Sequence, residues 1–167
     1  MASINGIQIK SLKKFYGHEG EPLYQGNIYY KGKKLGFWSQ DAHGAICDNF
    51  GFNEDILNAE VEKYVASDRV EDEYRSVSSI ENLLADLVSL MDDEKYYKKY
   101  LKQCCPTTIV CTDGIDVSWI GTRKAGVTEN VLKACEPVIA DFKAKCHKNK
   151  KVKITLYRDL KDFDITV

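Results

Sequence analysis

Two glycine-flanked segments hold the residues whose types could do chemistry. Residues 17–20 read GHEG and residues 41–44 read DAHG, with Cys47 close behind. Imidazole is neutral near pH 7, and together with carboxylates it binds divalent metals or exchanges protons. In glycine-rich loops, however, polar side chains commonly bond nearby backbone groups instead. A metal-dependent enzyme is therefore the third-ranked hypothesis, with four candidate residues: His18, Glu19, Asp41 and His43.

No established catalytic motif accompanies these residues. The chain contains neither a G-x-G-x-x-G or G-K-[ST] phosphate loop nor a G-x-S-x-G nucleophile elbow. Its six cysteines include no C-x-x-C pair of the kind that structural zinc sites use, so free thiols are predicted. A non-enzymatic protein without a cofactor or a metal is the favoured interpretation.

Charge is unevenly distributed along the chain. Residues 1–40 hold six lysines against two glutamates, residues 41–100 hold six basic against fifteen acidic side chains, and residues 101–167 hold twelve against eight. The acidic middle favours a negative surface that docks into the basic, nucleic-acid-binding groove of a protein partner. Solvated helix ends are the simpler interpretation of each acidic cluster taken singly. The residues predicted to contact the partner are Glu71, Asp72, Glu73, Asp92, Asp93, Glu94 and Trp38.

A basic run near the end of the chain supports an alternative function. Its lysines could contact phosphate groups directly, with exposed tyrosines beside them, which predicts a nucleic-acid-binding accessory protein. The same side chains could instead complement a helix C-terminus and line a strand edge. The run consists of Lys143, Lys145, Lys148, Lys150, Lys151 and Lys153.

Hydrophobic periodicity indicates the elements that position these residues. The first forty residues predict strands, including a hairpin whose connecting loop is residues 31–34. Strict alternation along that hairpin would bury Ile28 and Phe37 and turn Trp38 to the opposite side. The aromatic residue would then be available to a partner.

The middle of the chain predicts helices. One runs over residues 54–66 after Asn53 as N-cap, and a stronger one begins at the capping box formed by Ser78 and Glu81. Helical pattern continues over residues 92–101 and stops before Pro106, as one bent helix or as two. A later helix begins near Thr128 and is kinked or restarted by Pro137.

The last part of the chain predicts strands again. A two-residue turn at Asp113-Gly114 would join strands 107–112 and 115–120, and two closing strands contain Leu156 and Phe163. Most neighbouring strands are too close in sequence for a parallel crossover. We therefore predict an α+β fold, with an antiparallel or mixed sheet packed by three to five helices. Residues 1–167 would form a single domain, with residues 1–50 as an optional β-rich subregion.

Part of the N-terminal region resembles known proteins. Residues 15–20 (FYGHEG), 25–29 (QGNIY), 32–37 (GKKLGF) and 39–41 (SQD) are similar to the opening of small proteins from phages and integrated elements of Firmicutes and gut bacteria. Some proteins of that kind look like type II-A anti-CRISPR proteins, which inhibit the RNA-guided nuclease Cas9. The resemblance covers residues 15–44 and implies an inhibitor, but it assigns no functional residues.

Together these observations favour a mobile-element protein that inhibits a host nucleic-acid-processing complex through an acidic surface. Cas9 with its guide RNA is the candidate partner. Direct nucleic-acid binding is the alternative, and the oligomeric state stays open. No apolar stretch approaches the ~18 residues of a membrane span, and the N-terminus lacks a signal-peptide pattern. The cytoplasm of the host bacterium is the expected location.

Overall fold

The computed structural model describes residues 1–40, 47–50, 54–67, 79–103, 107–112, 117–122, 129–146 and 155–167. The described chain has the predicted α+β fold, with a mixed sheet and three α-helices. Its elements are β1 (Ser3–Ile4), β2 (Ile7–Tyr16), β3 (Pro22–Tyr30), β4 (Lys33–Gln40), β5 (Cys47–Phe50), α1 (Glu54–Ala66), α2 (Ile80–Gln103), β6 (Thr107–Thr112), β7 (Val117–Thr122), α3 (Glu129–Cys146), β8 (Thr155–Tyr157), a 3-10 helix (Leu160–Phe163) and β9 (Asp164–Ile165).

The chain divides into two compact units. Residues 2–90 and 164–167 form what we call the major unit, and Met1 with residues 91–163 forms the inserted unit. Helix α2 contributes residues 80–90 to the first and residues 91–103 to the second. The prediction of a single domain over residues 1–167 stays a prediction.

A six-stranded sheet organises the major unit, in the order β5-β4-β3-β2-β1-β9. Neighbouring strands are antiparallel except β1 and β9, which are parallel. The amide N–H of Asn5 donates to the Ile165 carbonyl at 2.7 Å, and the Val167 N–H donates to the Asn5 side chain at 3.0 Å. The hydroxyl of Ser3 also donates to Asp164. These bonds hold the last residues of the chain against its first strand.

The buried face of this sheet differs from the predicted one on β4. Tyr29 pairs with Lys34, but Ile28 pairs with Gly36, so Leu35 is an extra residue, a β-bulge. Because side chains alternate, one extra residue moves every later side chain of the strand to the other face. Trp38 is consequently buried, with 1% of its surface exposed. The prediction that it faces outward was wrong.

The turn between β3 and β4 is also tighter than predicted. Tyr30 pairs with Lys33, so the connection is two residues long rather than the four of residues 31–34. Both connecting residues have positive φ, 47° at Lys31 and 84° at Gly32. This is the geometry of a type I′ turn, whose twist matches that of the flanking strands.

Gly32→Ala should lower the free energy of unfolding by about 1 kcal/mol, because a Cβ is disfavoured at positive φ. No atom lies within 4 Å of the position that the new Cβ would take, so a clash would not contribute. Urea denaturation measures the effect. The control Lys33→Ala, at an exposed position beside the turn, should change stability by less than about 0.5 kcal/mol. Equal stability of Gly32→Ala and the parent would contradict the turn assignment.

Helix α1 is linked to the sheet through Glu60. The hydroxyl of Tyr30 and the ammonium of Lys63 each donate to Glu60 Oε1 at 2.9 Å, and the Asn5 side-chain amide donates to the Glu60 carbonyl at 3.4 Å. Burial alone would raise the pKa of Glu60, but the bonds from Lys63 and Tyr30 and the charges of Lys63 and Lys31 lower it. The ionised carboxylate is thus the stabilising form.

Glu60→Gln should lower the free energy of unfolding at pH 7 by about 1 to 3 kcal/mol, since it removes charge from two hydrogen bonds. A lowered folded-state pKa contributes stability above the unfolded-state pKa, and that stability is lost as pH falls through the folded-state value. The difference between parent and variant should therefore shrink towards pH 3. Chemical denaturation at several pH values tests this. Glu62→Gln, exposed on the same helix, is the control, and a pH-independent difference would contradict the assignment.

Helix α1 has the predicted bounds. For α2, the sequence left open whether the region forms one bent helix or two helices. It runs from Ile80 to Gln103 as one helix. The hydroxyl of Ser79 accepts the Asn82 N–H at 3.4 Å, so the N-cap is Ser79 and not Ser78. The apolar stripe predicted for the first half is confirmed, because Leu83, Leu84 and Leu87 are each at most 2% exposed.

The inserted unit contains a three-stranded antiparallel sheet in the order β7-β6-β8. The last described pair of β6 and β7 is Thr112 with Val117. The turn predicted at Asp113-Gly114 lies outside the described residues and stays a prediction. Helix α3 continues through Pro137. Phe163 belongs to the 3-10 helix rather than to a closing strand.

An aromatic cluster forms the described core of the inserted unit. The rings of Tyr157 and Phe163 stack with centroids 4.2 Å apart, and the Tyr97 ring lies 5.5 Å from Phe163. The Tyr97 hydroxyl donates to the Arg158 carbonyl at 2.7 Å. Burial, with Asp159 and Asp162 nearby, raises the pKa of Tyr97 to about 12. The hydroxyl therefore stays protonated and keeps donating at physiological pH.

Candidate functional site

The solvent side of β2, β3 and β4 carries lysines and aromatic rings. Residues paired directly across an antiparallel sheet project to the same face, and Ile28, on the other face, is fully buried. The register therefore places three rows on the solvent side: Gln8 with Tyr29 and Lys34, Lys10 with Asn27 and Phe37, and Lys13 with Gln25 and Ser39. We call this surface the basic sheet face and define it by Lys10, Lys13, Tyr29, Lys34 and Phe37.

Strands β2, β3 and β4 contribute positive but no negative side chains to this face, whereas the adjacent β5 pairs Asp48 with Ser39 of the Lys13 row. None of β2, β3 and β4 contains an aspartate or a glutamate. Lys13 and Lys34 are exposed, and Lys10 is partly exposed. Lys34 of β4 pairs directly with Tyr29, and Lys10 of β2 is in the adjacent Asn27 row, so lysines lie on both sides of the Tyr29 position on β3.

One aromatic ring of this face, that of Tyr29, is in contact with a lysine. The Lys10 ammonium lies over the Tyr29 ring, 4.2 Å from its centroid. Such a contact is worth about 0.5 to 1 kcal/mol at an exposed site, so it orders both side chains without locking them. The face can therefore present ammonium groups and a ring to one ligand.

Sequence reasoning did not find this surface. It assigned no function to the lysines of residues 1–40, although it counted their charge excess. The available signal was the absence of carboxylates from three consecutive strands. That signal was incomplete, because the faces depend on the register and on the Leu35 bulge.

Most of the acidic cluster of residues 92–94 forms ion pairs or hydrogen bonds inside the inserted unit. Glu94 is buried, and its Oε1 forms ion pairs with the Lys98 ammonium at 2.8 Å and the amino terminus of Met1 at 3.0 Å. Asp93 accepts a 2.8 Å hydrogen bond from the Tyr157 hydroxyl. Burial raises the pKa of Asp93 despite this bond, and the neighbouring Asp92 adds to the effect. Among these three residues only Asp92 is exposed.

Several of the other predicted site residues lie outside the described part of the chain. Glu71, Asp72 and Glu73 lie outside the described residues, so the second acidic cluster stays a prediction. Trp38, predicted to contact a partner, is buried in the major unit. In the basic run, residues 143 and 145 belong to helix α3. Four members lie outside the described residues: Lys148, Lys150, Lys151 and Lys153.

The histidine segments form no described metal site. His18 and Glu19 are both exposed, in the connection between β2 and β3. There the Glu19 N–H donates to the Glu21 carboxylate at 2.9 Å, and the Gly20 N–H donates to the Gly17 carbonyl at 3.1 Å, which is turn geometry. Asp41 and His43 lie outside the described residues. Within the described part of the chain, no three His, Cys, Asp or Glu side chains are grouped to hold a metal.

One cysteine side chain is described, that of Cys135 in α3. It is buried as a free thiol, and burial raises its pKa. A small apolar core position suits this thiol. For the remaining cysteines, free thiols stay a prediction.

Comparison with known proteins adds no relative. No protein-family model matches the chain, and no curated protein or solved structure matches it significantly. Among the helices of the described ranges, none combines the length and the apolar character that a bilayer span requires. The geometry of the described residues is therefore the basis for functional inference.

Proposed function

We propose that this protein binds single-stranded nucleic acid on the basic sheet face of the major unit. The observation that supports the proposal most directly is that β2, β3 and β4 contain no aspartate or glutamate, while Lys10 lies over the Tyr29 ring and Lys34 pairs with Tyr29. The functional class is the direct nucleic-acid binding considered as the alternative from sequence. The proposed surface is the basic sheet face, however, and not the lysine run of residues 143–153.

Electrostatic attraction supplies the first part of the binding energy. Lys10, Lys13 and Lys34 would neutralise backbone phosphates and release the counterions condensed on the strand. This contribution does not depend on base sequence. It falls steeply as salt concentration rises, with a slope of about −0.7 per phosphate contact for a single strand.

Aromatic stacking supplies the second part and favours a single strand. A base stacked on an aromatic side chain contributes about 1 to 3 kcal/mol, and every base has a face that can stack. Bases in a duplex are already stacked on each other, so only a single strand or a loop can use Tyr29 and Phe37 in this way. A base on the Tyr29 ring would displace the Lys10 ammonium towards the adjacent phosphate.

The other functional hypotheses rest on the sequence alone. Origin from a mobile element and inhibition of a nuclease such as Cas9 stay predictions from the sequence. Their acidic-surface mechanism depends on residues 71–73 and on Asp92, because Glu94 and Asp93 are engaged within the chain. Capture of partners from a bacterial lysate separates the two mechanisms. Nuclease treatment should abolish capture through nucleic acid and leave capture of an inhibited enzyme intact.

The triple variant Lys10→Gln, Lys13→Gln, Lys34→Gln should weaken binding to a labelled single-stranded oligonucleotide by about tenfold or more. The slope of log K against log salt should fall in magnitude by about 2, for three lost contacts. Fluorescence anisotropy over a salt series measures both quantities. A matched control removes the same charge elsewhere: Lys14→Gln and Lys33→Gln, on the opposite side of the same sheet, with Lys161→Gln. Equal losses in the two triple variants would contradict the proposed face.

Tyr29→Ala should weaken the same complex by about 1 to 3 kcal/mol, through the loss of stacking. Tyr29→Phe retains the ring and should bind like the parent within about twofold, since stacking needs no hydroxyl. Anisotropy at fixed salt provides the measurement, with circular dichroism to verify folding. If both variants lost affinity equally, the hydroxyl rather than the ring would carry the contact, and the stacking mechanism would be excluded.

A further inference from the structure

A second basic surface lies in the inserted unit, on the last turns of α2. Residues spaced by three, four, seven, eight and eleven positions share one face of a helix. A cavity of about 520 Å³ opens along this face. Its described lining consists of Met91, Glu94, Lys95, Lys98, Lys99 and Lys102. We call it the α2 lysine cleft.

The lysines of this cleft repel one another. Lys95 and Lys99, like Lys98 and Lys102, are four residues apart, and like charges at that spacing destabilise a helix by about 0.2 to 0.5 kcal/mol per pair. Lys98 is compensated by Glu94, at 2.8 Å. In the described part of the chain no carboxylate forms an ion pair with the other three lysines. A bound anion would relieve this repulsion.

The helix dipole does not account for the lysine row. A basic side chain near a helix C-terminus is favourable, but the effect is confined to about the last turn. Only Lys102 lies in the last turn of α2. The remaining lysines of the cleft stand further back, where the dipole contributes little. A ligand is the more direct explanation of their charge.

We propose that the α2 lysine cleft binds a ligand that carries two or more linked phosphate groups. Lys95, Lys99 and Lys102 distribute their ammonium groups over about 10 Å of helix, which matches a chain of anions better than one compact anion. Ammonium groups are point charges that bind phosphate oxygens well. Met91 adds apolar surface about 6 Å from the Lys95 level. A cavity of this volume is within the range of small-molecule sites, about 300 to 1,000 Å³.

Calorimetric titration with inorganic tripolyphosphate at low salt tests the proposal. Saturable binding is expected, weaker for monophosphate, together with a rise in melting temperature because the ligand binds only the folded state. Lys95→Gln with Lys99→Gln should weaken the binding at least about tenfold. The control Lys33→Gln with Lys161→Gln removes equal charge outside both surfaces and should bind like the parent. No saturable binding, or equal weakening in both double variants, would overturn the proposal.

Two further titrations identify the source of the phosphates. Tighter binding of ATP than of tripolyphosphate would indicate a nucleotide, with the base or sugar adding contacts. Displacement of tripolyphosphate by a single-stranded oligonucleotide would indicate a nucleic-acid backbone. If neither occurs, free polyphosphate is the ligand. The triple variant of the basic sheet face should bind tripolyphosphate normally, so failure of one proposal is distinguishable from failure of the other.

Discussion

The β-bulge at Leu35 determines which side of β4 is buried, and the organisation of the major unit depends on it. After the bulge, Trp38 pairs with Gly26 and Gly36 pairs with Ile28 on the core side of the sheet. The indole is therefore accommodated beside a residue without a side chain. A Cβ at Gly26 would lie 2.5 Å from Ile9 Cγ2, so no larger residue fits there without movement. Large and small residues alternate across this core, which is how well-packed interiors avoid voids.

The same bulge places lysine and aromatic side chains together on the solvent side. Phe37 would be buried in a regular strand, but one extra residue turns it outward beside Lys34 and near Tyr29. The burial of Trp38 and the partial exposure of Phe37 thus have a single cause. The basic sheet face is a consequence of core packing, and a register change of one residue would remove it.

Charge counts along the chain are a poor guide to the charged surface. Residues 92–94 read as an acidic patch, yet Glu94 is buried with cationic partners and Asp93 bonds to Tyr157. Conversely, three lysines that follow these acidic residues on the same helix line a cleft of their own: Lys95, Lys99 and Lys102. Pairing within the fold removes some charges from the surface and leaves others unbalanced, and the unbalanced ones are the candidates for ligand contacts.

The sequence by itself determined the elements that arise from local patterns. The class of the fold, helix α1, the apolar stripe of α2 and the pairing of β3 with β4 all follow from periodicity and capping, which act over a few residues. Tertiary structure decided the bulge at Leu35, the burial of Trp38, the partners of Glu94 and the place of β9 beside β1. These depend on contacts between residues distant in the chain. Local propensity carries no information about such contacts, because packing selects among registers that are locally equivalent.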